Sequence, residues 1–195
     1  QLNGQRMSKS TGNTVNPHEL LSGKNQFFRK AYSPSVIRFF TAQSSYRSIL
    51  DLTDDGMLAS EKGHTKLMEA VKLLDKLEAG KTSTFKVMDW RVDCYAAMND
   101  DFNSPILISH LFEAVKVINL IKDGKASLNT EDLALFKTTI KAFVFDVLGL
   151  MNEISEGNSN KINGVVELLI QLRKEAREDK NWALSDQIRD ELLVL

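Results

Sequence analysis

The chain has little cysteine, little histidine and no long apolar run, and each shortage excludes a class of protein. Cys94 is the only cysteine among 195 residues, so neither an internal disulfide nor a cysteine-rich zinc site can form. The histidines, His18, His64 and His110, show no metal-ligand spacing, which predicts no metal site. No apolar stretch approaches the roughly 20 residues that span a bilayer, and no charged-then-apolar leader opens the chain. These absences favour a cytoplasmic protein without a membrane partner.

The near-neutral total charge hides a strong asymmetry between the two ends of the chain. Residues 1–50 contain seven basic side chains and one acidic side chain, Glu19, which gives a balance of +6. The remaining 18 basic and 25 acidic residues leave positions 51–195 at −7. A cationic end joined to an acidic body indicates that any phosphate-binding surface belongs to the first quarter of the chain.

Almost every periodic segment has helical spacing, and only residues 48–52 suggest a short extended stretch. Asn16 and Ser33 each precede a proline, and Asn103-Ser104-Pro105 repeats this N-terminal capping pattern. Helices are predicted to begin near residues 17, 34, 54, 85, 104 and 130, the last ending at Gly149, with two more after a linker at 152–164 and divided near Asn181. The pattern predicts an all-α bundle with three parts, at 1–53, 54–150 and 151–195.

The most informative segment is a basic, serine-rich loop near the start of the chain. It reads Arg6-Met7-Ser8-Lys9-Ser10, and Thr11-Gly12-Asn13 follows at once. Serine hydroxyls and backbone N–H groups can donate hydrogen bonds to phosphate oxygens, and Lys9 can neutralise their charge as a point cation. A solvated turn has a similar composition, so the loop alone leaves both interpretations open. The loop resembles the KMSKS signature of class I aminoacyl-tRNA synthetases, with Arg6 where lysine is usual.

Three later stretches resemble one family of these enzymes, the cysteinyl-tRNA synthetases, in the right order. They lie at Ser33–Asp51, Met98–Asn119 and Leu172–Leu192, and are similar to the family's "HYRSPLDFS" stretch, its "MDDDFNTP" helical domain and its "KDW..AD.IRD.L" ending. Two positions depart from the family pattern: Ser45 stands where histidine is usual, and Thr11 where a larger apolar residue is common. The resemblance covers nearly the whole chain, which therefore looks like the C-terminal part of such an enzyme.

The resemblance implies a function that this chain shares with residues outside it. The family activates cysteine with ATP to cysteinyl-adenylate and transfers the cysteinyl group to tRNA(Cys). By resemblance, Lys9 is catalytic and contacts the leaving phosphates, while Arg6, Met7, Ser8 and Ser10 complete an ATP-binding loop. The Rossmann domain and the ligands of the family's zinc ion are expected before Gln1. The implied fold is therefore the signature loop and stem-contact helices, followed by a DALR-like bundle and C-terminal helices. This piece is expected to be inactive alone.

Four arginines are candidates for tRNA binding, and each has a structural alternative. Arg38 and Arg47 either contact phosphates of the acceptor stem or form ion pairs with the acidic helical body. Arg173 and Arg177, with Lys180, either follow the tRNA towards its anticodon or form a solvated face opposite Leu168, Leu169, Leu172 and Ala176.

Other conspicuous residues have structural interpretations, and two further functions compete. Asp100 and Asp101 are expected to serve a helix cap rather than to act as paired catalytic carboxylates. Core positions are expected for Cys94, Phe102, Phe112 and Trp182. The competing functions are a paralogous ligase that joins cysteine to an amino-cyclitol, and a helical tRNA- or protein-binding module without catalysis.

Overall fold

The computed structural model describes residues 1–151, 167–179 and 181–194. The chain divides into two compact units, Gln1–Met151 and Asn152–Leu195. The described residues form helices and loops without a strand, which confirms the all-α prediction. The extended stretch expected at 48–52 contributes a single bridge, between Leu2 and Leu52. The predicted linker at 152–164 and Lys180 lie outside the described residues.

The first unit contains six α-helices and one π-helical turn. These are α1 (Pro17–Ser22), α2 (Pro34–Ala42), α3 (Asp54–Leu74), α4 (Val87–Asn99), α5 (Ser104–Lys122) and α6 (Thr130–Lys141), which continues as a π-helix over Ala142–Val147. The predicted caps are confirmed, since Asn16, Ser33 and Asn103 each accept a hydrogen bond from the first turn of the helix that follows. Gly149, in the left-handed region at φ +60°, ends the last helix as predicted.

Helices α3 to α6 pack around one apolar core, with α5 at its centre. Seven residues of α5 are buried: Leu107, Ile108, Leu111, Ala114, Val115, Val117 and Ile118. Among the described helices, α5 alone is long and apolar enough to cross a bilayer by length and composition. This is weak evidence for a membrane segment, because core helices of soluble proteins meet the same criterion. The cytoplasmic location stays a prediction.

Helix α4 turns only one of its apolar faces to the core. Met88, Val92 and Tyr95 are exposed, whereas Trp90 and Cys94 are buried. Because α4 carries apolar residues all round, its sequence does not distinguish the face that meets α5 and α6. Cys94 is completely buried, which confirms that it is a core residue, and this burial raises the pKa of its thiol to about 12, with smaller contributions from nearby carboxylates.

Of the three aromatic residues that were predicted to lie in the core, only one does, so two of these predictions are wrong. Phe112 packs against the core, with its ring centroid 6.4 Å from that of Phe39. Phe102 is 73% exposed and Trp182 is 58% exposed. The reason lies in their positions, since Phe102 sits in the tight turn between α4 and α5 and Trp182 is the first residue of a helix in the second unit.

The second unit contains two described helices, α7 (167–178) and α8 (Trp182–Val194). They meet at a turn in which the Asn181 N–H donates to the carbonyl of Ala176 at 2.7 Å, which confirms the predicted division near Asn181. Ala176 and Ser185 are buried between the helices. Leu168 and Leu172, which the sequence assigned to an apolar face, are 58% and 41% exposed.

A glycine substitution tests the connection that follows α1. Gly23 has φ +70°, and an added Cβ would lie 2.5 Å from the backbone nitrogen of Ala31. Gly23→Ala is therefore expected to destabilise the fold by about 3 kcal/mol, because a left-handed strain of about 1–2 kcal/mol adds to a backbone clash. Gly12→Ala is the matched control, since Gly12 also has φ +70° but an added Cβ meets nothing within 4 Å. Equal urea midpoints for the two variants would contradict this account.

Candidate ATP loop and nucleic-acid interface

The loop at residues 6–13 follows a root, residues 2–5, that is fixed to the body of the first unit. Leu2 is completely buried in a cluster that also contains Leu20, Phe28, Tyr32, Val36, Phe40 and Met57. The Asn3 N–H donates to the carbonyl of Leu52 at 3.0 Å, and the Gly4 N–H lies 2.9 Å from both carboxylate oxygens of Asp51. The start of the loop is thus held against the segment that enters α3.

The loop itself closes as a short turn with its cation at the tip. The Ser8 N–H donates to the carbonyl of Asn13 at 3.1 Å, and the Gly12 N–H donates to the carbonyl of Lys9 at 3.2 Å. Gly12 supplies the left-handed backbone that this turn requires, at φ +70°. The side-chain oxygens of Ser8 and Ser10 lie 2.8 Å apart. Two hydroxyl groups are therefore gathered beside the exposed Lys9 side chain.

Asn13 fixes the return of the loop to the root. Its side-chain Nδ2 donates to the carbonyl of Arg6 at 3.2 Å and lies within 3.5 Å of the carbonyls of Leu2 and Gln5. Met7 packs against the buried cluster around Leu2. The two ends of the loop are consequently anchored, while its tip projects from the body.

The cations of residues 1–50 fall into two groups. Carboxylates neutralise the first group: Arg29 pairs with Asp54 at 2.9 Å, Lys30 with Glu61 at 2.5 Å and Arg47 with Asp101 at 2.7 Å. In the second group, Arg6, Lys9, Lys24 and Arg38 are exposed and form no salt bridge within the described part of the chain, although Arg38 donates to the carbonyl of Gly149. Two of these four side chains belong to the loop, which therefore carries two free positive charges.

Arg38, on α2, and Arg47, in the segment after α2, both bind residues of the helical bundle. Nη1 of Arg38 donates to the carbonyl of Gly149. The Arg47 guanidinium donates to the Tyr46 hydroxyl at 2.9 Å, and that hydroxyl donates to the Asp101 carboxylate at 2.7 Å. Of the two roles predicted for Arg47, the structure shows the ion pair with the bundle. The other role, a contact with RNA, stays a prediction.

The same geometry corrects the expected role of the adjacent aspartates. Asn103, not an aspartate, caps α5 by accepting from the N–H of Ile106 at 3.4 Å. Asp101 instead forms an ion pair with Arg47 and accepts a hydrogen bond from the Tyr46 hydroxyl, both of which belong to the segment after α2. The link between Tyr46, Arg47 and Asp101 joins residues more than 50 positions apart, so spacing along the chain gave no signal for it.

The candidate arginines of the second unit have different surroundings. Arg173 is half-buried, and its Nε donates to the carbonyl of Ser185 at 3.2 Å, which joins α7 to α8. Arg177 is exposed on α7. Among the described residues, no group of three or more His, Cys, Asp or Glu side chains could hold a metal ion.

Comparison with known proteins finds first a matching domain and then a group of similar enzymes. Residues 94–152, from α4 onward, match the family model of the DALR domain. Over all of its length, the chain is 44% identical to the cysteine–tRNA ligase of Parabacteroides distasonis and 42% identical to that of Porphyromonas gingivalis. The enzyme of Chlorobium luteolum is 35% identical over 99% of the chain.

The chain spans about 40% of the length of each of these relatives. Over its whole length the chain is similar to cysteine–tRNA ligases, and the resemblance drawn from its sequence is confirmed.

Proposed function

We propose that the chain is part of a cysteine–tRNA ligase, in which it supplies the loop that closes on ATP and helices that dock tRNA(Cys). The observation that carries this proposal is homology over the entire chain, including the loop and the DALR domain. The free charges of Arg6 and Lys9 support it, because neither side chain must first leave a carboxylate in order to meet a phosphate.

In this proposal, the loop assists displacement at the α-phosphate of ATP. The cysteine carboxylate attacks that phosphorus, pyrophosphate leaves, and negative charge accumulates on the leaving phosphates. Lys9 lies at the exposed tip of the turn and meets this charge as a point cation. Ser8 and Ser10 exchange their mutual hydrogen bond for bonds to phosphate oxygens, and Arg6 adds a second charge. Catalysis is then positioning and electrostatic stabilisation rather than covalent chemistry by the protein.

Recognition of the cysteine substrate belongs to residues outside this chain. The zinc ion that the family resemblance implies does not fit the described residues, because they contain no cluster of three candidate ligands. The buried Cys94, with its raised pKa, is also unsuited to bind metal. No step is therefore assigned to zinc on this chain.

Docking of tRNA is assigned to the cationic first quarter of the chain and to the helices behind it. Arg38 and Arg47 are both exposed, and they lie where α2 and the segment after it meet the helical bundle. Cations at such a surface contact phosphates and position the RNA without reading its sequence. Arg173 and Arg177 of α7 are proposed as further contacts in the second unit. This function agrees with the predicted cytoplasmic location, because ATP and tRNA are both present in the cytoplasm.

A chimaera tests the proposal. The chain replaces the matching 40% of the Parabacteroides distasonis enzyme, and cysteine-dependent exchange of pyrophosphate into ATP is measured. The chimaera is expected to exchange, while the 195-residue chain alone does not. Exchange by the isolated chain, or a folded chimaera that binds cysteine and ATP without exchange, would overturn the proposal.

A further inference from the structure

A cleft separates the segment after α2 from the turn between α4 and α5. Its volume is about 530 Å³. Its lining includes Arg38 of α2, Tyr46 of the segment after α2, Met98 of α4, Phe102 of the turn and Val147 of the π-helix. The volume falls within the range of about 300–1,000 Å³ that is typical of sites for small molecules or single groups.

Phe102 stands at the rim of this cleft in an unusual conformation. Asp101 and Phe102 have φ values of +56° and +54°, so two consecutive non-glycine residues are left-handed. A left-handed backbone is unfavourable for a residue that carries a Cβ, so the surroundings must enforce the conformation. The turn is held by hydrogen bonds from Phe102 N–H to the Met98 carbonyl at 3.1 Å and from Asn103 N–H to the Ala97 carbonyl at 3.0 Å. A rigid turn thus presents an aromatic ring that is 73% exposed.

The charges around the cleft favour an anion. Arg38 lines the cleft and forms no ion pair among the described residues, whereas Arg47 and Asp101, next to the lining residues Tyr46 and Phe102, neutralise each other. Arg47 also lies over the ring of Tyr46, with 5.4 Å from its Cζ to the ring centroid. The cleft therefore combines one net positive charge with exposed aromatic rings. Phosphate and a planar, unstacked base are the two parts of a ligand that match this combination.

We infer that this cleft binds one unstacked nucleotide of an RNA, whose base stacks on Phe102 and whose phosphate lies against Arg38. The inference rests on the proposed function, in which RNA is a substrate, and adds a site for a single-stranded position of that RNA. A base inside a duplex cannot offer its face to Phe102, so the site selects a loop or an end rather than a paired stem.

The test compares two RNAs on the 195-residue chain. One is an unstructured single-stranded 10-mer, and the other is the same sequence as a duplex, both measured by fluorescence anisotropy at low salt. Phe102→Leu keeps an apolar side chain but removes the ring, and it is expected to weaken single-strand binding about 5- to 100-fold. Duplex binding, which depends on phosphate contacts, is expected to stay within about 2-fold. Phe102→Tyr is the matched control and should retain single-strand binding.

The outcomes separate this inference from the proposed function. If the chain binds RNA with a steep salt dependence but Phe102→Leu changes nothing, the inference is overturned and the tRNA-docking proposal stands. An equal loss on single strand and duplex also overturns it, because the ring then acts only on the fold or on phosphate contacts. If the chain binds neither RNA, the inference fails, and the exchange activity of the chimaera decides the function independently. Binding of an apolar peptide in place of RNA, lost in Phe102→Leu, would assign the cleft to a protein partner and overturn the RNA site.

Discussion

Lys9→Ala is expected to lower kcat for pyrophosphate exchange by about 10²–10³ in the chimaera, with a much smaller change in the KM for ATP. Removal of one preorganised donor from a developing charge typically has an effect of this size. The effect falls on kcat because the charge on the leaving phosphates grows in the transition state, so the contact with Lys9 strengthens there. The exposed position of Lys9 at the tip of a turn means that the substitution removes no packing contact.

Lys24→Ala provides the matched control for this experiment. Lys24 is also exposed and forms no salt bridge among the residues described, but it lies outside the loop. Its replacement is expected to leave kcat within about 2-fold of the parent. A similar loss in both variants would show that bulk positive charge, rather than the position of Lys9, accounts for the effect. An unchanged kcat in Lys9→Ala would remove the loop from the chemistry altogether.

Phe136→Ala is expected to destabilise the first unit by about 3–5 kcal/mol, the range for truncation of a buried phenylalanine. Phe136 is completely buried, and its ring centroid lies 5.0 Å from that of Trp90 and 5.9 Å from that of Phe85. The substitution removes two edge-to-face ring contacts as well as apolar area, and it leaves a cavity between α4 and α6. Urea unfolding of the chain, followed by circular dichroism, measures the loss.

The control is the same substitution at Phe102, which is 73% exposed. Phe102→Ala is expected to change the free energy of unfolding by less than about 1 kcal/mol, because little apolar area is lost from the core. If Phe102→Ala destabilises the chain as strongly as Phe136→Ala, the ring is a core residue after all, and both the described turn and the inferred nucleotide site are wrong.

Helix starts were predictable from the sequence because each start is a local event. Asn16 and Ser33 satisfy N–H groups of the turn that follows them, and the proline after each fits the first helical position. The buried face of α4 was not predictable, since this choice depends on helices that arrive later in the chain. The prediction for Phe102 failed for a related reason: helical spacing was extended across a turn whose left-handed backbone moves the ring to the surface.

The candidate site also has one part that could be predicted from the sequence and one part that could not. The grouping of two hydroxyls with a cation could be predicted because Ser8, Lys9 and Ser10 are adjacent in the chain, and the structure adds that Asn13 and Leu2 anchor the loop. The roles of Arg6, Met7, Ser8, Lys9 and Ser10 in ATP binding remain predictions. The cleft could not be predicted, because Tyr46 and Asp101 meet only through the packing of the segment after α2 against the bundle.

Formation of cysteinyl-tRNA by the chimaera tests the central claim most directly, since that reaction requires both the ATP loop and the tRNA-docking helices. The chimaera is expected to transfer cysteine to tRNA(Cys), and an amino-cyclitol offered in place of the tRNA is expected to accept none. A folded chimaera that forms cysteinyl-adenylate but transfers cysteine to the amino-cyclitol, or to no acceptor, would contradict the claim.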